Sequence, residues 1–458
     1  MLFLKRKSKG ETVAVVGSGI SGLMDAFALR EHGFDVSVYT KGPDPRRQKK
    51  TEHFSSTHNG ELGRFISRFE GEHYLGDSPM YPDMFNAFKT HVTQGGWLGK
   101  YKHEWDAFDK AWLEKRWGAC QEQKQMKKTE RWYVAANGKA MHLWQKYVQQ
   151  FPALFHNTDM LNTGILRLYD TPPLFAWAVK RHKKEKVLEN ALSQKGVAET
   201  YPYFAEACEN GIVAGGVEAP GFSFNIHAFT HNLITHLEIQ GVAFHWETEI
   251  EKIQCSSKGL VEGLLLKNGE LITKIHYTIN TGAYAEETFY TETPAAEKIA
   301  GVAGRWMFLP SPRGFSRPVK IHGDARQEDE KRFPVVDVNL THCTDDAGDE
   351  WLAVGGGYAY LGKPPFEKTN TAFDAIDAEN ERTVHLYLGP TYRAAKKKGL
   401  LRKSAATCIR SFTHDDMPIM ETMKTTGGGA LRFNIGTNTG TTTISPFTAL
   451  QTVRSLQK

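Results

Sequence analysis

No stretch of this sequence approaches the roughly 18–20 consecutive apolar residues that a membrane helix needs. Its start, MLFLKRKSKG, has four apolar residues before the charges, far short of a secretory-signal core. A soluble cytoplasmic protein is the expectation, and the basic start leaves peripheral contact with a membrane open. Cysteine is scarce: Cys120, Cys208, Cys255, Cys343 and Cys408 are scattered, with no C-x-x-C pair. That argues against a disulfide framework and a structural zinc site, and fits a reducing compartment. Charge of one sign is lacking too. The 57 basic and 52 acidic side chains leave +5 over 458 residues, too little to argue for nucleic acid. The densest basic runs, at residues 5–9, 180–186 and 396–398, read as solvated faces or tails. There is no internal repeat, long low-complexity segment, nucleophile elbow or kinase-like pattern. The glycine triplets at 355–357 and 427–429 lack the Lys-Ser/Thr of a P-loop and read as turns.

What the chain does have is an ordinary globular composition, 40% apolar and 24% charged, and length for two or three domains. Residues 12–16 form a short apolar run expected to be a buried parallel strand. A helix is expected over about 21–31, ended by Gly33, and residues 35–40 alternate as a second strand. Between the first strand and the helix lies Gly17-Ser18-Gly19-Ile20-Ser21-Gly22, with G-x-G-x-x-G spacing. The first glycine permits the tight turn, the second lets a pyrophosphate approach the backbone, and the third lets helix and strand pack closely. The helix start then offers free N–H groups to phosphate. Strand, turn and helix in one βαβ unit are the context that makes the motif specific for a dinucleotide. Where an acidic residue usually grips the ribose, this chain has Thr40 and Lys41. Lys41 could suggest a 2′-phosphate and hence NADP; Thr40 with nearby backbone could hold a ribose with less specificity. The turn alone does not choose between FAD and a nicotinamide nucleotide.

Further along, residues 72–150 are rich in Trp, Lys and Gln and read as helical. Residues 225–240 read as a helix, 242–246 as a strand, and Asn268-Gly269 as a hairpin turn leading to a buried strand that ends at Thr281-Gly282. Residues 334–340, 351–355 and 383–386 read as strands, and the C-terminus returns to strand, glycine-rich loop and helix, with Ser445 and Pro446 in the first helical turn. The expected fold class is α/β: a Rossmann-type domain formed by 10–95, 225–305 and 400–458, interrupted by insertions at 96–224 and 306–399 that build a mixed-sheet substrate domain with helices.

Three segments carry a family likeness: the turn with SSTHNGEL; TGILRLYDTPPLFAWA and the region through GFSFNIHAFTHNLITHLEIQGVAFHWE; and CIRSFTHDDMPIM with LRFNIGTNTGTTTISPF. In this order they resemble the FAD-dependent D-amino acid dehydrogenase, glycine oxidase and sarcosine oxidase family, over roughly half the chain. The resemblance implies FAD as cofactor. It implies a flavin-wrapping loop at Ser55, Ser56, Asn59 and Gly60, and a strand end at Thr281 and Gly282 like the family's A-T-G-A. The family's R-P-x-T-P-D-G-x-P pattern is similar to the stretch from Arg410 to Pro418, which keeps arginine, threonine, aspartate and the final proline but neither the first two prolines' counterparts nor the glycine. There the family's arginine grips the substrate carboxylate, a task suited to its planar fork. Gly436, Asn438, Thr439 and Gly440 resemble the glycine-rich loop beside the flavin ring, with Thr437 where the family often has histidine. Its helix start would stabilise the negative charge of the reduced ring. In the sarcosine oxidase branch a cysteine at the place of Cys408 is attached to the flavin; the D-amino acid dehydrogenase branch lacks it, so covalent and dissociable FAD both stay open.

The resemblance therefore implies oxidation of the C–N bond of an amino acid or N-substituted amino acid, with hydride transfer to flavin N5, an imine that hydrolyses, and oxygen or a quinone as electron acceptor. Alternatives are a flavoenzyme acting on a carboxymethylamino group of tRNA, a non-catalytic dinucleotide-binding protein and an NADP reductase. His227 and His231, at i and i+4, with His236, read as residues of a packed or surface helix rather than metal ligands, and His53 and His58 flank the expected flavin loop.

Overall fold

The computed structural model of the chain describes residues 10–48, 55–71, 78–79, 85–323, 336–345, 347–364 and 370–457. Thr12–Val16 is the hinge of its first sheet, paired in parallel with Asp35–Tyr39 on one side and His276–Ile279 on the other. The order continues outward to Ala243–His245 at one edge and to Ala430–Phe433 and the antiparallel Thr422–Lys424 at the other. Alternate residues of the first strand go to opposite cores. Val13 and Val15 meet Leu23 and Phe27 of the helix Ile20–Glu31 and Ala449 and Val453 of the helix Thr441–Leu456. Ala14 and Val16 meet a second apolar layer with Ile253, Leu264 and Ile272 of a three-stranded sheet. Burial on both faces is why this strand reads as an unbroken apolar run.

The larger sheet has eight strands among the described residues. In order they are Arg402–Thr413, Ile299–Pro310, Glu350–Gly362, Val336–Thr344, Val319–Gly323, Ile165–Tyr169, Gly215–Ala219 and Asn190–Ser193. All neighbours are antiparallel except Val319–Gly323 with Ile165–Tyr169. Its one face is apolar, with Met307, Leu309, Val338, Leu340 and Val354 packed with Val384 and Tyr387. The other face is polar where it meets the phosphate turn and apolar at Val302, Tyr360 and Phe412, which pack with Phe88, Trp97 and Trp112.

The expected hairpin is present, Val261–Leu266 pairing with Leu271–Ile272 around Asn268-Gly269. The expected helix is Ile226–Ile239, capped by Asn225, whose side-chain oxygen accepts from the amides of His227 and Ala228. Residues 107–150 are helical, as Ala107–Gln121 and Gln123–Gln150. One strand expectation fails: residues 383–386 lie in the helix Asn370–Tyr387. Thr383 and Val384 are β-branched, but they form its buried face, and tertiary burial outweighs the local preference. Residues 334–335 of another expected strand lie outside the described residues; the strand runs from Val336. No helix among the described residues is long and apolar enough to cross a membrane.

Candidate functional site

The site begins at the turn after the first strand. Gly17 has φ of +103°, where a side chain would be strained. At Gly22 an added Cβ would fall 1.9 Å from the Gly17 carbonyl oxygen, so helix and turn close only without a side chain. Gly19 faces the short helix Ser56–Asn59: a Cβ there would lie 3.1 Å from Ser55 Oγ. The Ile20 amide at the helix start donates to Thr57 Oγ1 at 3.0 Å. Ser55 Oγ is buried with no hydrogen-bond partner.

Several expected residues brace this turn. Ser21 Oγ donates to Asn280 Oδ1 at 2.8 Å. Thr281 Oγ1 pairs with the Tyr290 hydroxyl at 3.0 Å, and Gly282 packs against Ser411, whose hydroxyl accepts the Ala283 amide at 2.7 Å. Gly60 closes the Ser56–Asn59 helix, just after Asn59, and packs against the guanidinium of Arg64. His58 is buried, its Nε2–H donating to Ser18 O at 2.9 Å; burial pushes it down to about 4, so it is a neutral strut. His53 lies outside the described residues. At the end of the second strand, Ser18 Oγ donates to Thr40 Oγ1 at 3.1 Å. Lys41 Nζ is 2.7 Å from Glu249 in a partly exposed ion pair.

From the turn a cleft runs to the polar part of the larger sheet's second face. It gathers Ile20, Ser56, Cys408, Arg410, Asn438 and Thr439 of the expected residues. Cys408 and Arg410 are two apart on Arg402–Thr413 and so share a face. Arg410 donates to Gly357 O at 2.8 Å and lies over the Tyr358 ring at 4.8 Å. Among the described residues, no carboxylate pairs with it. Its path is open because Gly304 on the next strand has no side chain; a Cβ there would meet the guanidinium at 2.1 Å.

The helix Thr441–Leu456 points its start at the cleft, through Asn438, Thr439, Thr441 and Thr442. It begins at Thr441, so Ser445 and Pro446 stand in its second turn, not its first. Pro446 cannot donate to the Thr442 carbonyl; the Ser445 hydroxyl does so instead, at 3.0 Å, which keeps the helix intact. Asn438 spends its amide on Gly71 O and the Tyr133 hydroxyl, at 3.0 and 2.9 Å. Gly440 packs on Gly71, and Gly436 abuts Thr413.

The cleft also holds Arg64, Glu70, Trp306, Lys320, Asp337, Asn339 and Thr341, none of which was anticipated. Lys320 sits between Glu70 at 2.8 Å and Asp337 at 3.2 Å, and Arg167 joins Glu70 at 2.8 Å. Burial opposes both charges, but Lys320, His322 and the Tyr358 hydroxyl hold Asp337 below its ordinary value, and Asp337 and Glu70 hold Lys320 above its own. Burial pulls the Arg64 guanidinium below its ordinary value, and the charge of Arg410 adds to this. The alternation DVNLT, polar at 337, 339 and 341 and apolar between, was the sequence signal for part of this wall. Among the described residues no cluster of His, Cys, Asp or Glu could hold a metal. His227, His231 and His236 stand on the helix Ile226–Ile239.

A family model described as DAO, FAD dependent oxidoreductase, matches residues 12–453. The chain belongs to this FAD-dependent oxidoreductase family. No curated protein sequence matches it. Solved structures of similar fold include glycine oxidase from Geobacillus kaustophilus, 14% identical with a TM-score of 0.60, covering 98% of this chain and 95% of that one. A modified fructosyl peptide oxidase from Aspergillus nidulans is 13% identical, with a TM-score of 0.62 and coverage of 99% and 91%. L-alpha-glycerophosphate oxidase from Mycoplasma pneumoniae, with FAD bound, is 11% identical, with a TM-score of 0.60 and coverage of 98% and 95%. At these identities the likeness is one of fold. The family's cofactor is FAD, and the residues fit it: a turn closed by two obligatory glycines, the orphaned Ser55 hydroxyl beside them, and a long cleft leading away from both.

Proposed function

We propose that this flavoprotein oxidises the C–N bond of an amino acid or N-substituted amino acid. The observation that carries the reading is Arg410: a guanidinium in the cleft wall, fixed by Gly357 and Tyr358, with no carboxylate partner among the described residues. A cation so placed suits a substrate carboxylate, which its fork can take bidentately. Gly17, Gly19 and Gly22 with the Ile20 helix start would hold the pyrophosphate, Thr40 and Ser18 the ribose side, and Ser55, Ser56, Asn438 and Thr439 the region nearer the ring. FAD, when bound, takes up the hydride from the carbon that bears nitrogen. Arg410 holds the carboxylate end, so the carbon presented is the one next to it. The start of Thr441–Leu456 places its partial positive charge at the cleft, where it would favour an anion. The substrate enters as the neutral amine and, having lost a hydride, leaves as the iminium ion that water hydrolyses, so the chain need supply no side-chain base.

The test is anaerobic. A panel of amino and imino acids is mixed with the purified yellow protein, and at least one should bleach the flavin. Bleaching by none of them would overturn the substrate class. Cys408 bears on attachment, since it faces the cleft beside Arg410. Acid precipitation decides it: colour kept in the pellet supports a thioether, and colour released wholly to the supernatant excludes one.

A further inference from the structure

The strand Val336–Thr344 sends Asp337, Asn339 and Thr341 into the cleft and Val338 and Leu340 into the core. Two of the three polar side chains have partners. Asp337 takes the Tyr358 hydroxyl at 2.9 Å and faces Lys320 at 3.2 Å. Thr341 donates to Ala353 O at 3.3 Å. The Oδ1 atoms of Asp337 and Asn339 are both buried without a hydrogen bond, but that of Asp337 faces the Lys320 ammonium, whereas among the described residues Asn339 pairs with no charge. A buried amide oxygen left so is costly, and a bound donor would relieve it. Opposite it in register stands Gly355, a bare stretch of backbone over which the Trp306 indole lies.

We infer that Asn339 determines specificity, by taking a neutral hydrogen-bonding group, a hydroxyl or an amide, on the side chain or N-substituent of the substrate. The inference rests on Arg410 as the carboxylate anchor. Arg410 is bonded at Gly357 O, two residues along the strand from Gly355, and Asn339 is one strand further over. Two residues along and one strand across amount to about 8 Å. An α-amino acid's own nitrogen lies only about 3 Å from its carboxylate, so the group that reaches Asn339 belongs to the far end of the molecule. A neutral group is the class that fits, because the charges beside Asn339 are already matched. Lys320 is held by Glu70 and Asp337, and a charged substrate end would have to displace one of them.

The experiment compares isosteric pairs on the purified holoenzyme in both enantiomers: homoserine with norvaline, 2-amino-5-hydroxypentanoate with norleucine. The rate constant of anaerobic flavin reduction over the apparent dissociation constant should favour the polar member by about 100-fold. In Asn339→Leu that ratio should collapse to about 1, and Asn339→Asp, a near-isosteric change, guards against misfolding by retaining a polar preference. Binding gives a second readout: 4-hydroxybutyrate should perturb the flavin spectrum at lower concentration than pentanoate in the wild type and not in Asn339→Leu. A wild type that prefers the apolar member, or an Asn339→Leu loss equal for both members, would overturn the inference. The equal loss would place Asn339 at the amine common to all substrates. Bleaching by no amino or imino acid would instead defeat the reading of Arg410.

Discussion

The two walls of the cleft are built on opposite plans. On the phosphate-turn side the backbone would do the holding under the proposed reading: Gly17, Gly22 and the amides at the start of Ile20–Glu31. On the sheet side the side chains would do it, from neighbouring strands: Lys320, Asp337, Asn339, Trp306 and Arg410. The first plan compresses into a spacing of a few residues. The second depends on strand order and register, and it brings together residues as far apart as Asp337 and Arg410. A backbone site suits a cofactor shared across a family. A side-chain site can change its substrate by single substitutions without disturbing the fold.

If the plans differ in this way, damage to each should show differently. At the turn the effect should be the largest. Gly22→Val puts a branched side chain against the Gly17 carbonyl, where even a Cβ would sit at 1.9 Å. Neither atom can move without parting helix from strand. The expected result is loss of soluble, yellow protein, read from expression level and the ratio of flavin to protein absorbance. On the sheet side, Arg410→Met should leave flavin content and thermal midpoint nearly unchanged. It should lower the reductive efficiency for carboxylate substrates by about 10³, or about 4 kcal/mol, typical of losing one partner of a desolvated charge pair. A Gly22→Val protein with normal flavin, or an Arg410→Met protein without it, would break the division between the walls.

The same contrast explains what could be read without coordinates. The turn was legible because its chemistry is local, whereas Arg410 and Cys408 were legible only through the family resemblance of the stretch that holds them. Arg64, Lys320 and Trp306 were not, because an isolated cation or indole carries no mark of the strand beside it. Asp337, Asn339 and Thr341 did leave an alternating pattern, but alternation says only that one face is polar and not what that face meets. Thr383 and Val384 misled because their β preference is weak beside complete burial against the sheet. Pro446 misled because a serine hydroxyl can replace the missing amide.

Within the sheet wall the charges should prove mutually dependent. Lys320→Met strands the largely buried Asp337 without its cation and leaves Glu70 with Arg167 alone. Destabilisation of about 3 kcal/mol is expected from denaturant melts. Lys320→Arg, which keeps the charge, should recover part of it. A loss much below 1 kcal/mol in Lys320→Met would mean that the set is solvated and not closed.

The smallest expected effect sits behind the turn wall, and it tests whether that wall is as self-sufficient as the charged set opposite. Asp25 is fully buried in the helix Ile20–Glu31 and accepts from Asn280, Asn434 and Thr452 at 3.0–3.3 Å, tying three elements together. Among the described residues no cation forms an ion pair with it, and burial raises it to about 7, against the weaker opposite pull of those hydrogen bonds and of the Arg432 charge. The native state therefore keeps a proton that the unfolded chain gives up from about pH 4 upward. Where the native state holds more protons, stability falls as pH rises, here until about pH 7, above which both states are ionised. Asp25→Asn removes the titration and keeps the acceptor oxygen. Relative to that variant, the wild type should lose about 2 kcal/mol between pH 5 and pH 7 in urea melts. Asp337, held below its ordinary value by Lys320, should add no comparable slope over the same interval. Parallel pH curves for wild type and Asp25→Asn would show that the turn wall, like the sheet wall, carries its buried carboxylate already ionised.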